Sequence, residues 1–363
     1  MGKVAVLLGT LIAVAGVAHA HFGEPRVAEV RFPPARGGEA WLVIDNVGLV
    51  ARAPGEAWRW LCDESITPTP GLNSLAPLTA DGRGWVAATH AGAFRTADDG
   101  CTFEAVPGAL TEHVVALLSP DPTAAGAALL GTQTIGLAND VFRTTDGGAN
   151  WTPAGLALEG RVRSLVRASA DADVVYVGHT RGVLRSDDGG VTFAPIMTGP
   201  TDDPADAEDF RFLATHPADA RDVFAVVEAF PDSSLVRSRD GGLTWATVGV
   251  FGDVPDGLVF LGDGQQAVLA TPFDGLHRSD DGGDTWHRVP SPAAAVLSCL
   301  TREPATGRLW SCARGAAAPW LVGSSDDGGE TWRPELLTFA DLDGRWACPA
   351  GTPGATTCAR ACD

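Results

Sequence analysis

Basic residues are scarce: 26 lysines and arginines face 45 aspartates and glutamates in 363 residues. Discounting Lys3, which lies in a leader described below, leaves 25 against 45, a net charge of −20. Such a surface repels phosphate backbones instead of releasing their counterions, so nucleic acid and anionic membrane surfaces are excluded as partners. The plain role of the acidity is solubility. Aromatics are also few, at 7%, while Gly 44 and Pro 25 are plentiful, which argues against a helical bundle and for many short strands joined by tight turns. Beyond the N-terminus there is no run of eighteen apolar residues, so no membrane insertion is expected.

The N-terminus itself runs from Lys3 through the apolar stretch Val4 to Val17 to Ala18-His19-Ala20, the layout of a secretory signal peptide over residues 1–20 with cleavage after Ala20. The apolar run is too short for a membrane anchor, and no Cys follows the cleavage site to accept a lipid. The expected product is exported, soluble and monomeric, in a periplasm or outside the cell, and seven cysteines fit that oxidising setting.

One pattern recurs six times, over Thr96–Phe103, Thr144–Trp151, Ser186–Phe193, Ser238–Trp245, Ser279–Trp286 and Ser325–Trp332. Its aspartates are Asp98, Asp146, Asp188, Asp240, Asp281 and Asp327, at intervals of 48, 42, 52, 41 and 46 residues. That period belongs to four-stranded propeller blades. Asp at a turn accepts hydrogen bonds from backbone N–H groups a few residues on, Gly supplies a positive φ, and the Ser or Thr hydroxyl adds a second local bond. The closing Trp or Phe starts the next strand and buries a ring beside the neighbouring blade. These aspartates therefore read as structural. The segments resemble the Asp-box, or BNR, repeat.

Each repeat follows an apolar strand opening on Gly, such as Gly182 to Arg185 or Gly275 to Arg278, and before it another β-rich run such as Val174 to Val177. A blade thus reads strand A, strand B, strand C, turn, strand D. Gly48 to Arg52 followed by Pro54 to Trp58 fits the same frame without its Asp and makes a seventh, degenerate blade. The expected architecture is an all-β, seven-bladed propeller of four-stranded antiparallel blades within residues 21–339, closed so that no long sheet edge is exposed. The last blade holds its four strands in chain order, so ring closure must come from elsewhere. Residues 340–363 carry Cys348, Cys358 and Cys362 and are expected to form a disulfide-pinned cap over the junction of the last and first blades. Cys299 and Cys312 face each other across an A–B hairpin turning at Pro304 to Gly307, which predicts a disulfide. Cys62, Cys101 and the three tail cysteines remain unassigned, one of them left over or paired between chains.

Propeller connections alternate between faces, with B–C and D–A loops on one and A–B turns and the repeated turns on the other. The B–C loops carry Asp45 with Asn46, His90, Gln133, His179 with Arg181, Glu228 with Asp232, Phe273 with Asp274, and Arg314, a polar rim around the central opening. Asp45, His90, His179, Arg181, Glu228, Asp232, Asp274 and Arg314 are the candidate ligand-binding residues; ordinary loop chemistry is the plainer account of any one of them. The insertion Thr201 to Asp209 brings five carboxylates to this face. Ca²⁺ is the alternative to a solvated acidic loop there and, with Asp341-Leu-Asp343-Gly344, the one metal worth considering. No cofactor is expected. Arg163 and Arg211 lie in the A strands of adjacent blades, placed to grip a carboxylate in the channel.

The resemblance covers almost the whole mature chain and implies a fold, not an activity: the family spans sialidases, xyloglucan-cleaving glycosidases, sortilin-type receptors and photosystem assembly factors. Likeness to sialidases implies an arginine triad, an acid/base group and a Tyr nucleophile paired with Glu. Here Tyr176 is the sole tyrosine, in the apolar run Val174 to Gly178, and Glu24-Pro-Arg26 does not replace the early Phe/Tyr-Arg-Ile-Pro motif. The chain is short for a sortilin-type receptor. The expectation is a non-catalytic propeller that binds a protein, peptide or glycan; the alternative is a glycoside hydrolase using Arg163, Arg211 and Glu228, with Asp256 as a further carboxylate.

Overall fold

The middle strands of this chain are apolar on both sides, Trp41 to Ile44, Trp85 to Ala88, Val175 to Val177 and Val268 to Ala270 among them, and all of these residues are buried. A strand is buried on both faces only when its sheet is covered on both, and here the cover is the neighbouring sheets. The computed structural model describes residues 26–69, 71–180, 182–196, 210–228, 231–289, 296–314, 318–342 and 344–360. They form seven sheets, each with four antiparallel strands in chain order A, B, C, D. The result is a seven-bladed β-propeller. Blade 1 is Val27–Arg31, Ala40–Ile44, Gly48–Arg52 and Arg59–Cys62, the degenerate blade expected from its Gly48 frame; blade 7 ends with strand D at Arg333–Leu336.

Three of the D strands show the opposite pattern. Glu104–Ala105, Thr152–Pro153 and His287–Arg288 are two residues long and exposed, so the rim offers little edge for foreign strands. Apolar clusters fill the spaces between blades. Trp245, for example, packs with Phe210 and Phe212 of its own blade and with Tyr176 and Val183 of the preceding one.

All six repeated turns close on their own side chains. In blade 4, Ser186 Oγ donates to Asp188 Oδ1 at 2.7 Å, Gly190 N donates to Ser186 Oγ at 2.9 Å, and Thr192 N donates to Asp188 Oδ1 at 2.9 Å. The same ring of bonds forms around Asp240, Asp281 and Asp327. Gly190 has φ +87°, and a Cβ there would lie 2.7 Å from Leu129 of the preceding blade, so the turn is glycine for conformation and for packing. The indole N–H of Trp151, Trp245 and Trp332 donates to the carbonyl of the second glycine of its own turn.

Ring closure uses two devices. Side chains of blades 1 and 7 interlock directly: Ser298 Oγ donates to Val27 O, Phe32 stands edge-on to Trp310, Trp58 Nε1 donates to Glu335 O at 2.9 Å, and Arg52 pairs with Glu335. The chain then leaves blade 7, packs the half-buried Phe339 and Leu342 against that junction, and adds Gly344–Arg345 as a fifth, parallel strand outside strand D of blade 1. Trp346 follows. Its N donates to Trp60 O, its indole N–H to Asp99 O at 2.7 Å, and its ring meets Trp85 edge-on. Disulfides Cys62–Cys358 and Cys101–Cys348 anchor the tail, through the helix Pro353–Arg360, to blades 1 and 2. The tail therefore reaches past the expected last–first junction to the second blade. Cys299 and Cys312 are register partners and disulfide-bonded, while Cys362 and residues 1–25 lie outside the described residues. Three disulfides accord with an oxidising compartment. Among the described residues no helix is long and apolar enough to cross a membrane.

Candidate functional site

Strand A lines the central channel, and near its start it carries a recurrent irregularity. In blade 4, Val162 pairs with His179 and Ser164 with Gly178, which leaves Arg163 as the extra residue of a bulge. A bulge re-aims one side chain while the ladder continues. Asn73 and Ser298 are the corresponding residues of blades 2 and 7, and each bonds a carbonyl of the next A strand, Val115 O and Val27 O. Arg163 likewise reaches the next blade, but its partner is a carboxylate: Arg163 Nη2 lies 3.6 Å from Glu228 Oε2.

Glu228 follows strand B of blade 5 (Asp219–Val227), and its other oxygen accepts from Arg211 Nε at 3.2 Å. Arg211, in strand A of that blade (Phe210–His216), also donates to Pro255 O at 2.7 Å and pairs with Asp256 at 3.4 Å. Blades 4, 5 and 6 thus bring two arginines and two carboxylates together where the channel meets the B–C and D–A loops. The side chains of Arg163, Arg211 and Glu228 are 28%, 19% and 25% exposed, so the charge-balanced cluster is open to a ligand. Arg163, Arg211, Glu228 and Asp256 were each legible as candidates. Their mutual contact was not.

The loop before Asp256 extends the site. Asp253 accepts from Val254 N at 2.8 Å and from Phe273 N at 2.6 Å, tying the D–A loop to the B–C turn of blade 6. Phe273 stands 74% exposed on that turn. Asp274 turns away instead, towards His277 at 3.1 Å and Arg288 at 3.6 Å in strands C and D. Burial holds the His277 ring below the usual histidine range, against the pull of Asp274.

Other candidates are dispersed. Asp45 pairs with Arg26 on blade 1 at 3.1 Å. His90 is exposed, its ring lying over Gly71, where a Cβ would approach Nδ1 to 2.5 Å. His179 ends strand B of blade 4 and is buried, which pushes its pKa down and favours the neutral ring. Asp232 and Arg314 are exposed, and Gln133 N bonds Val114 O. Arg181 and the insertion 201–209 lie outside the described residues. Asp341 is occupied in capping Thr338 N, and Asp343 is outside the described residues.

The other mouth of the channel, on the A–B face, holds a cavity of about 1010 Å³ among the A strands and A–B turns of blades 1, 2, 3 and 7. Arg31 crosses its floor, paired with Glu29 at 2.6 Å and donating to Ser74 Oγ at 3.0 Å and Leu118 O at 2.7 Å. Neither Arg31 nor Arg302, which also lines it, carries a motif in sequence. The strand C arginines did leave a signal. Arg185, Arg237 and Arg278 each precede the Ser of a repeated turn and reach the turn of the next blade, at Gly241 O, Asp284 and Glu330.

No protein-family model matches the chain, and no curated protein matches it in sequence. Solved structures share its fold. An ancestral GH74 enzyme superposes with a TM-score of 0.68 at 16% identity, covering 85% of this chain and 46% of its own. The GH74 xyloglucanase from Xanthomonas campestris gives 0.63 at 17%, covering 87% and 54%. YCF48 bound to D1 peptide gives 0.54 at 16%, covering 81% and 95%. This chain spans about half the length of the two GH74 enzymes.

Proposed function

We propose that this chain is an exported, monomeric, non-catalytic Asp-box propeller, released after a signal peptide into a periplasm or the extracellular space, that binds a protein, peptide or glycan on its B–C and D–A face. The observation that carries the reading is the engagement of Glu228. One oxygen accepts from Arg211 and the other faces Arg163 at 3.6 Å, so the carboxylate serves an ion-pair cluster shared by two blades, which supports recognition over general acid catalysis. Tyr176 supports the same reading: it is fully buried, donates to Ala220 O at 2.9 Å, and burial pushes its hydroxyl up to about 12, which leaves no nucleophile there. A charge-balanced cluster beside an exposed aromatic ring suits recognition, where planar guanidinium groups take carboxylates or paired hydroxyls and Phe273 offers a face for stacking. The fold is compatible with either ligand class, since its structural neighbours include a xyloglucanase and a protein bound to a peptide. This reading assigns no cofactor.

The purified protein is expected to retain members of a glycan and peptide array and to lose them when Arg211→Gln is tested, about tenfold or more for a charge-assisted bond. Fluorogenic sialosides and β-glucans are expected to remain intact. Turnover that vanishes in Arg163→Gln, Arg211→Gln or Glu228→Gln would replace this reading with glycoside hydrolysis.

A further inference from the structure

We infer that the A–B mouth of the channel is a second binding site, selective for a monoanionic carboxylate with an apolar body, and that Arg302 is its anchor. The inference is independent of the B–C face. Four charged residues line the cavity: Glu29, Arg31, Asp121 and Arg302. Three are compensated within the protein. Glu29 and Arg31 pair with each other and share Ser74. Asp121 Oδ1 accepts from Thr123 N, the Thr123 hydroxyl and Ala124 N, and Oδ2 pairs with Arg167 at 3.3 Å.

Arg302 is the exception. It ends strand A of blade 7 (Val296–Arg302), it makes no ion pair among the described residues, and its Nε is buried without a hydrogen-bond partner. Its guanidinium lies over the A–B turn at Gly307, where a Cβ would stand 3.0 Å from Nη2. In a chain of net charge −19, an arginine with no acidic partner among the described residues is a local excess of one positive charge in the cavity wall. A planar carboxylate matches it in charge and shape, while the Glu29 carboxylate in the same wall disfavours a dianion. The remaining walls are mixed: Phe32, Pro33, Pro77, Pro120 and Pro304 give stiff apolar surface, and Asn73, Thr79, Ser119 and Thr301 add neutral polar groups. A cavity of about 1010 Å³ with more apolar than polar wall is of the size that holds a small molecule or a short peptide end.

The test is calorimetric titration of the full chain with 1-naphthaleneacetate and its uncharged amide, and with the peptide Ala-Pro-Ala-Leu bearing a free or amidated C-terminus. At least one acid is expected to bind saturably and tenfold to a hundredfold tighter than its amide, the scale of a charge-assisted hydrogen bond. Whichever acid binds tells whether the carboxylate comes from a small molecule or a chain end. Arg302→Gln is expected to abolish the preference, and Arg239→Gln, which removes an exposed positive charge from a turn of blade 5 outside the cavity, to keep it. Thr301→Glu, which adds a carboxylate beside Arg302 and leaves the guanidinium in place, is expected to abolish it as well. Equal binding of acid and amide, no saturable binding of either acid, or a preference that survives Arg302→Gln overturns the inference.

Discussion

The aspartates of the repeated turns illustrate what a single residue does when all its partners are close in the chain. Asp188 and Asp281 each accept a hydroxyl bond from a Thr four residues on, then backbone N–H bonds, and these hold their carboxyls at about 2. The ordinary value is near 3.8. A carboxyl whose pKa is lower in the folded than in the unfolded state stabilises the fold above the unfolded value, and that contribution is lost as pH falls through the folded one. The melting temperature is therefore expected to fall between about pH 4 and pH 2, in step with protonation of these turns. The double variant Asp188→Asn, Asp281→Asn is expected to melt lower at pH 6 and to lose less on acidification. Parallel melting curves for the two proteins across that range would assign the acid sensitivity elsewhere. This chemistry was legible in sequence because every partner lies within four residues. Glu228 shows the opposite case: it was a candidate by position, yet its arginines come from two blades, and no spacing rule encodes their convergence.

Between elements, strand C supplies the ties. Arg237 lies over the Phe224 ring, 4.8 Å from its centroid, and bonds Asp222 with both Nε and Nη2. Its remaining nitrogen reaches Asp284 in the turn of blade 6 at 2.7 Å. The side chains of Arg237 and Asp222 are only 7% and 10% exposed. Removing Asp222 takes two of the bonds of the buried Arg237 and leaves it with Asp284 alone, so Asp222→Ala is expected to cost about 1.5–3 kcal/mol in urea denaturation. A paired change to Asp222→Leu and Arg237→Met, which removes both charges, is expected to recover most of that loss. If the single and double variants are equally unstable, the loss comes from packing against Phe224 and not from the stranded charge. The Arg before Ser186, Ser238 and Ser279 was visible in sequence, but its direction was not: only the stacking of blade on blade sets an arginine of one repeat against the turn of the next.

For the whole molecule, the governing feature is a ring whose seven units are each self-contained, so that closure depends on what joins the first unit to the last. Interlocked side chains of blades 1 and 7 do part of this, and the tail does the rest by sealing the outer edge of blade 1 and bonding covalently to blades 1 and 2. In the chain-entropy account a disulfide stabilises more when it closes a longer loop. Replacing Cys62 and Cys358 by Ser is expected to cost about 3–5 kcal/mol and more than the same change at Cys299 and Cys312, whose loop spans 13 residues. Thermal unfolding of the two variants compares them directly; the reverse order would mean that the tail bridge adds no constraint beyond the packing of Trp346. What the amino-acid sequence determined alone was everything of short range or strict period: the turn chemistry, the four-strand grammar, the count of seven, and the Cys299–Cys312 pair across its hairpin. What the tertiary structure decided was everything that joins residues far apart in the chain: the partners of Cys62 and Cys101, the fifth strand on blade 1, the cluster around Glu228, and the place of Arg302 in the opposite mouth, with no acidic partner among the described residues. The physical reason is that a turn is specified by its own side chains, whereas a channel is made by seven strands that share no sequence signal beyond being strand A.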